Sequence, residues 1–384
     1  MRTASPVARL LAGTLAGALV SVLVVMTLGL CSSPTDSRHR LVPEDASGHL
    51  RRIAIHYVPA MDRRVLPVWR ELFAKLPADI EVVVAVERPQ DYARFMTRMR
   101  TPGAASVGVR GATMMREEGV ALDRFQPVVV GRQLTTWSRD RMASLDGDRV
   151  LAPLRVATGS GPRAGDWEAP FAIARDVYHA RPVIAELVFE GGDLAASRSF
   201  VFADANLIGR NLGRGDATRA HLEDVLRGTF SQEVIWLGDA RGDVPEHHIM
   251  MYMVPLDDRS ALVGDVRLGR QLAPGVTADP AIEAHAARFD RVAAQLSERG
   301  FAVTRIPVVV LPGAGSYVTY TNALFDRDAT GPIVYLPTYR IPALDRAATD
   351  SYTALGYRVV PIDVSTVYTL NGSLGCLVNV MART

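Results

Sequence analysis

Residues 249–310 read IMMYMVPLDDRSALVGDVRLGRQLAPGVTADPAIEAHAARFDRVAAQLSERGFAVTRIPVVV. The apolar runs 249–254 and 261–266 have the composition of β-strands. An amphipathic pattern over 280–298, followed by a glycine, predicts a long helix. The apolar run 301–310 then predicts a third strand. This stretch therefore predicts one strand-strand-helix-strand unit, which we write ββαβ.

The same order recurs on both sides of this stretch. The predicted elements of the flanking units are strands 187–190 and 199–203, helix 216–226, strand 233–237, strands 317–324 and 333–336, helix 342–355 and strand 357–362. The N-terminal half is compatible with two further units, less clearly marked, with strands 52–57, 80–86 and 127–131 and a helix over 64–76. Five such units predict a closed ring rather than a doubly wound sheet, because each unit places a second strand before its helix.

Composition narrows the classes of function. The chain has 384 residues, of which 48% are hydrophobic and 22% charged, so it can bury a large core. The formal net charge is only +2 and no long run carries one sign, which argues against a nucleic-acid partner. We find no glycine-rich nucleotide loop and no zinc-binding H-E-x-x-H sequence, and we predict no cofactor.

The N-terminus predicts export to the cell envelope. Arg2 and Arg9 precede a charge-free apolar run over 10–30, which is typical of a signal peptide and is also long enough to span a membrane if it is retained. Cys31 follows Leu30, where a bacterial lipoprotein signal has a small residue. Lipidation of Cys31, an uncleaved membrane anchor and simple cleavage are the alternatives. The predicted division is a leader over 1–31, a tether over 32–50 and a folded domain over 51–384.

Seven short motifs whose side chains could take part in a reaction follow one another along the predicted domain. Each is common by itself, but their order and spacing are informative. They are Trp137-Ser138-Arg139-Asp140, Phe189-Glu190-Gly191-Gly192-Asp193, His248, Asn322, Leu336-Pro337-Thr338-Tyr339, Asp345 and a glycine-rich turn that leads into Cys376.

This order resembles that of the agmatine deiminases and the bacterial type of peptidyl-arginine deiminase, which belong to the pentein superfamily. The resemblance covers about 51–384. It implies an α/β fold, a five-bladed ββαβ propeller. It also implies a central site that hydrolyses a guanidinium group to a ureido group and ammonia, without a metal or an organic cofactor. The implied substrate is a guanidino small molecule or the arginine side chain of a protein.

The resemblance also implies roles for individual residues. Cys376 would be the nucleophile, His248 the general acid and base, and Asp140 and Glu190 the carboxylates at the guanidinium. The additional predicted substrate-binding residues are Trp137 and Arg139 at the mouth of the site, Asp193 and Met250. Each main assignment has a structural alternative: a turn residue for Asp140, a tight turn for Glu190 and its glycines, a strand cap for His248, and a small buried apolar residue for Cys376.

Two departures from the family pattern matter. Where the family has His-x-Asp, this chain has His248-Ile249-Met250, and the residue before Cys376 is Gly375 instead of histidine. Losing a carboxylate that pairs with a buried cation costs about 3–5 kcal/mol. Asp193 or Glu246 could replace that acid, or the substrate could be less cationic. The alternatives to a deiminase are another thiol chemistry, such as amidino transfer, and a non-catalytic envelope protein that keeps the propeller for binding.

Overall fold

A computed structural model describes residues 38–100, 120–154, 163–213, 217–313 and 316–384. His39 to Thr384 form one compact unit. The predicted leader over 1–31 lies outside the described residues. In the described part of the chain, no helix has the length and the apolar character needed to cross a membrane.

Strands of the described residues form five sheets. The first sheet has the order β17-β1-β2-β3, with bounds Asn379–Arg383, Leu50–His56, Glu81–Val86 and Phe125–Val129. The second and third are β4-β5-β6 (Ala143–Leu145, Arg149–Ala152, Val183–Ile184) and β7-β8-β9 (Ala195–Ala196, Phe200–Asp204, Glu233–Leu237). The last two are β10-β11-β12-β13 (Met253–Pro255, Ser260–Asp265, Ala302–Val310, Tyr317–Thr319) and β14-β15-β16 (Leu324–Asp328, Gly331–Thr338, Arg358–Asp363).

Helices lie between the strands of these sheets along the chain. In chain order they are α1 (Asp62–Lys75), α2 (Pro89–Arg100), α3 (Ala164–Tyr178), α4 (Asn206–Asn211), α5 (Arg219–Thr229), α6 (Val266–Leu272), α7 (Ile282–Glu298), α8 (Pro342–Ala354) and α9 (Leu374–Leu377). Helices α1 to α8 connect the parallel strands of these sheets, and the short helix α9 precedes β17. Short 3-10 turns occur at Pro59–Met61, Gly191–Asp193, Ile249–Met251 and Tyr368–Leu370.

The same pairing pattern repeats in the sheets. β4 with β5, β7 with β8, β10 with β11 and β14 with β15 are antiparallel, and each second strand then pairs in parallel with the strand that follows its helix. In the first sheet the C-terminal strand β17 supplies the antiparallel partner of β1. The five sheets therefore fit the propeller-like arrangement that the sequence repeat predicts, and the mixed α/β class is confirmed.

The unit quoted first shows why these segments pack. Strand β11 is buried over its four central residues, and α7 places Phe289, Val292 and Leu296 in the core at helical spacing. A Cβ on Gly264 would lie 2.6 Å from the Phe289 ring, so only glycine lets the helix approach the strand this closely. Burying each of these large side chains contributes about 1.5–3 kcal/mol.

The structure differs from the sequence prediction in several places. The predicted tether over 32–50 is wrong from His39 onward, because Leu41 and Ala46 are buried within the compact unit and β1 already begins at Leu50. The predicted strand over 187–190 is irregular backbone that leads into the turn Gly191–Asp193. The predicted strand over 249–254 starts as the 3-10 turn Ile249–Met251. Tertiary hydrogen bonds hold both apolar runs in these irregular forms.

Candidate active site

A histidine and a glutamate form the centre of the site. Nε2 of His248 lies 2.9 Å from Oε2 of Glu190, and both side chains are buried. His248 precedes the turn Ile249–Met251, and Glu190 caps the turn Gly191–Asp193. The adjacent His247 contributes in another way, since its Nδ1 accepts a hydrogen bond of 2.9 Å from the backbone N–H of His248.

Two glycines allow this approach. A Cβ on Gly192 would lie 2.3 Å from Cγ of His248, and one on Gly191 would lie 2.2 Å from the carbonyl oxygen of Arg139. Real Cβ atoms do not tolerate such distances, so the Gly-Gly pair admits the imidazole on one side and the backbone that precedes Asp140 on the other. The tight turn at the two glycines is what brings Glu190 beside His248. The interpretation of Glu190 as part of a turn and its interpretation as a site residue therefore do not exclude each other.

Asp140 joins this pair from a third segment. Its backbone carbonyl accepts a hydrogen bond of 3.2 Å from the N–H of Gly191. One polar atom each from Asp140, Glu190 and His248 lie within 4.8 Å of one another. Asp140 also lies in a turn, in which its N–H donates a hydrogen bond of 3.2 Å to the carbonyl oxygen of Trp137. Asp140 is therefore both a turn residue and a carboxylate at the site.

Cys376 lies in the short helix α9 with 2% of its surface exposed. Its N–H donates to Oδ1 of Asn322 at 3.2 Å, and its Sγ lies 4.0 Å from Sδ of Met251. Asn322 thus fixes the turn around the thiol, while its own Nδ2 is buried without a hydrogen-bond partner among the described residues. Tyr339 supports the same turn through Oγ of Ser373 at 2.8 Å, and Asp345 caps the backbone of Tyr339 at 3.0 Å.

Several neighbouring groups influence the protonation of the His248 imidazole. Burial lowers the pKa of His248, but the thiol of Cys376, the hydrogen bond to Glu190 and the charge of Asp140 together raise this pKa well above its ordinary value. Nδ1 of His248 has no hydrogen-bond partner in the described part of the chain. The raised pKa favours the protonated imidazolium near neutral pH, and Glu190 holds its Nε2.

Three arginines that sequence reasoning missed surround the carboxylates. Nη1 of Arg141 lies 3.0 Å from Oε1 of Glu190, and Nη2 of Arg210 lies 2.8 Å from Oε2. Arg163 donates a hydrogen bond to Oδ2 of Asp140. Arg141 also stacks over the Trp167 ring at 4.6 Å. The only sequence signal for these cations was that Arg141 directly follows Asp140.

Burial and charge have opposite outcomes at the two acids. Burial raises the pKa of Glu190, but the hydrogen bond with His248 and the charges of Arg210 and Arg141 hold it well below its usual range. Burial dominates at Asp140 and leaves its pKa raised. Imidazole and carboxylates are also the donors that metal ions take, but here guanidinium groups already balance both acids, so the set is better suited to a planar organic cation.

The structure places the additional predicted binding residues in different surroundings. The Trp137 ring lies against Gly372, where a Cβ would be 2.4 Å from it, so Trp137 stands beside the turn that carries Cys376. Arg139 does not line a mouth, since it is buried and pairs with Glu44 at 2.6 Å. Asp193 pairs with Nε of Arg210 at 2.5 Å and accepts from the N–H of Glu190 at 2.7 Å. Met250 is buried, and its carbonyl accepts from Thr321.

Comparison with solved structures shows the fold. The agmatine deiminase of C. jejuni matches with a TM-score of 0.62 and 14% identity, over 90% of this chain and 98% of that one. That enzyme has also been solved with substrate bound. The agmatine deiminase of Enterococcus faecalis matches with a TM-score of 0.62 and 14% identity, over 92% of this chain and 98% of the other. No curated protein matches this chain.

A family model gives the more specific result. The model of the Porphyromonas-type peptidyl-arginine deiminases matches residues 63–381, which include every residue of the site described above. This family and the structural neighbours are hydrolases that act on guanidino C–N bonds. Because the match covers most of the sequence, the chain belongs to the Porphyromonas-type peptidyl-arginine deiminase family.

Proposed function

We propose that this protein is a deiminase that converts the guanidinium group of agmatine or of a peptidyl arginine to a ureido group and ammonia. One observation supports this above all: His248 and the carboxylates of Glu190 and Asp140 meet from three separate segments of the chain, and the Cys376 sulfur, from a fourth, lies 4.0 Å from the sulfur of Met251 in the turn that follows His248. A nucleophile, an acid-base group and acids for a planar cation are what this hydrolysis requires.

In the first half-reaction the carboxylates of Asp140 and Glu190 hold the substrate guanidinium. Cys376 attacks the central carbon as its thiolate and forms a C–S bond, while the C=N electron pair moves onto nitrogen. His248 donates its proton to one nitrogen, the C–N bond breaks, and ammonia leaves a thiouronium on the sulfur. The raised pKa of His248 supports this order of events, because the imidazole already holds the proton that it must give away.

In the second half-reaction water replaces the sulfur. The neutral imidazole of His248 takes a proton from a water molecule that attacks the thiouronium carbon. The C–S bond then breaks, the remaining hydroxyl proton of the adduct passes to solvent, the neutral ureido product leaves, and the thiolate of Cys376 is restored. Throughout, the hydrogen bond from Nε2 to Glu190 fixes the plane of the ring.

The missing acid at position 250 affects the expected affinity. Of its two possible replacements, Asp193 is paired with Arg210, and Glu246 is exposed and lies 3.6 Å from Arg288. We assign the substrate cation to Asp140 and Glu190, because these are the acids grouped with His248. We expect the affinity for a simple cation such as agmatine to be about two to four decades lower than at a site that has a carboxylate at position 250.

The experiment measures ammonia release and ureido product from agmatine and from short arginine peptides. Cys376→Ala should abolish both signals. Cys31→Ser is the matched control, because it removes the other cysteine of the chain and should keep full activity. Equally negligible signals from the unmutated protein and from Cys376→Ala would refute the deiminase and favour a non-catalytic binding protein. The better substrate identifies the substrate class.

We also propose that the chain is exported and attached to the cell envelope through its N-terminus. The support is in the sequence, where Arg2 and Arg9 precede the charge-free run 10–30 and Cys31.

A further inference from the structure

One arginine bridges the carboxylates that the proposed reaction assigns to the substrate. Arg163 stands directly before α3 and donates from Nη2 to Oδ2 of Asp140. Its Nη1 lies 3.5 Å from Oε1 of Glu190, and its Nε lies 3.3 Å from Oδ2 of Asp166. A single guanidinium therefore spans three acids, including both that would clamp a substrate guanidinium.

The other two arginines at the site are placed differently. Arg141 and Arg210 pair with Glu190, but among the described residues only Arg163 has a guanidinium nitrogen within 4.0 Å of an Asp140 oxygen. Arg141 is packed over the Trp167 ring and Arg210 is anchored by Asp193. These two act as fixed counter-charges of Glu190, whereas Arg163 occupies Asp140 itself.

Arg163 is also the member of the cluster that can leave. Its side chain is 37% exposed, compared with 6% for Asp140 and 10% for Glu190. Moving the guanidinium into water needs a change of side-chain torsions and no rearrangement of the sheets. Its anchor stays in place, because Asp166 accepts from the N–H and the hydroxyl of Thr135 at 2.8 and 2.7 Å.

We propose that Arg163 is an internal competitor of the substrate, a specificity-determining residue whose own guanidinium fills the position between Asp140 and Glu190 until a substrate guanidinium displaces it. This inference rests on the proposed function for the identity of the ligand class. It has a consequence for selection, since a ligand must replace a charge-assisted interaction and not merely fill an empty clamp. Removing that competition should tighten binding of a guanidinium ligand about 10- to 100-fold.

The test measures binding of agmatine by calorimetry in a Cys376→Ala background, so that no turnover occurs. Arg163→Gln should bind agmatine at least about tenfold more tightly than the parent, and Arg163→Lys should lie between them, because a point charge cannot bridge two acids. Arg358→Gln is the control, since Arg358 pairs with Asp328 on the surface of another sheet and its loss should leave agmatine binding unchanged.

A second readout uses turnover in the protein that retains Cys376. Arg163→Gln should lower KM about tenfold with little change in kcat, whereas a residue that only supports the fold would lower kcat or the midpoint of thermal unfolding without improving KM. Unchanged, weaker or undetectable agmatine binding by both Arg163 variants would overturn the proposal. If Arg163→Gln binds agmatine more tightly but the unmutated protein releases no ammonia, the competition by Arg163 is supported and the proposed deiminase reaction is refuted.

Discussion

Replacing Glu190 with glutamine should lower the pKa of His248. Glu190 accepts from Nε2 of His248 at 2.9 Å and pairs with Arg141 at 3.0 Å and Arg210 at 2.8 Å. Glutamine keeps the shape and removes the charge. A hydrogen bond to a charged group contributes about 1.5–3 kcal/mol, so the pKa of His248 should fall by about one to two units.

The loss of charge should also reduce stability. In the variant, Arg141 loses the acid that faces it, and Arg210 keeps only Asp193. Breaking such a pair should lower the free energy of unfolding by about 3 kcal/mol and the midpoint of thermal unfolding by roughly 5 °C. Because the folded pKa of His248 is raised, its contribution is fully present below about pH 6.5 and is lost as pH rises through the folded value. In Glu190→Gln this decline above pH 6.5 should be smaller.

The assay is NMR titration of labelled histidines, with the His248 signal identified by its absence from His248→Asn. Urea unfolding at pH 6 and pH 8.5 gives the stability. The matched control is Glu233→Gln, whose carboxylate is exposed and lies 3.4 Å from Arg299, so that both quantities should stay unchanged. A His248 midpoint that moves by less than about 0.3 pH units in Glu190→Gln would refute the reasoning.

Three further predictions concern other parts of the chain. Gly192→Ala places a Cβ 2.3 Å from Cγ of His248 and should lower kcat/KM at least about 100-fold, whereas Gly228→Ala, where a Cβ meets nothing within 4 Å, should leave it unchanged; equal activities would contradict the packing argument. Burial raises the pKa of Asp204 to about 7 in spite of the Tyr252 hydroxyl, so its stabilising contribution is fully present below about pH 4 and is lost as pH rises through 7. Asp204→Asn should therefore flatten the fall in unfolding free energy between pH 4.5 and 7.5, and an unaltered slope by urea unfolding would count against this. Cys31→Ser should move the protein from the membrane fraction to the soluble fraction of fractionated cells, and no change would argue against lipidation.

Much of the fold was predictable because its signals are local. The alternation of apolar runs with an amphipathic helix gave α7 to within two residues of its start and β9 at its observed bounds. The strand predicted over 249–254 was wrong at its start, where the apolar run Ile249–Met251 forms a 3-10 turn. Hydrophobicity alone does not distinguish a strand from a buried 3-10 turn.

The site divides in the same way. Cys376, His248, Glu190 and Asp140 could be named from motifs, but their proximity could not, and Arg139 was placed at a mouth although Glu44 holds it in the interior. Asn322, Tyr339 and Asp345 belong to the same ordered motifs, and in the structure they support the turn around Cys376. The roles of all these residues in catalysis stay predictions.

The sequence by itself therefore determined the repeating ββαβ units and the candidate thiol, imidazole and acids, because strand and helix periodicity and residue type are properties of neighbours along the chain. Only the tertiary structure decided that His248 meets Glu190 across 58 positions and that Arg163 meets Asp140 across 23. Ion pairs of this kind depend on which segments the sheets bring to one place. Nothing in the residues beside an arginine in sequence specifies the acid that it will reach.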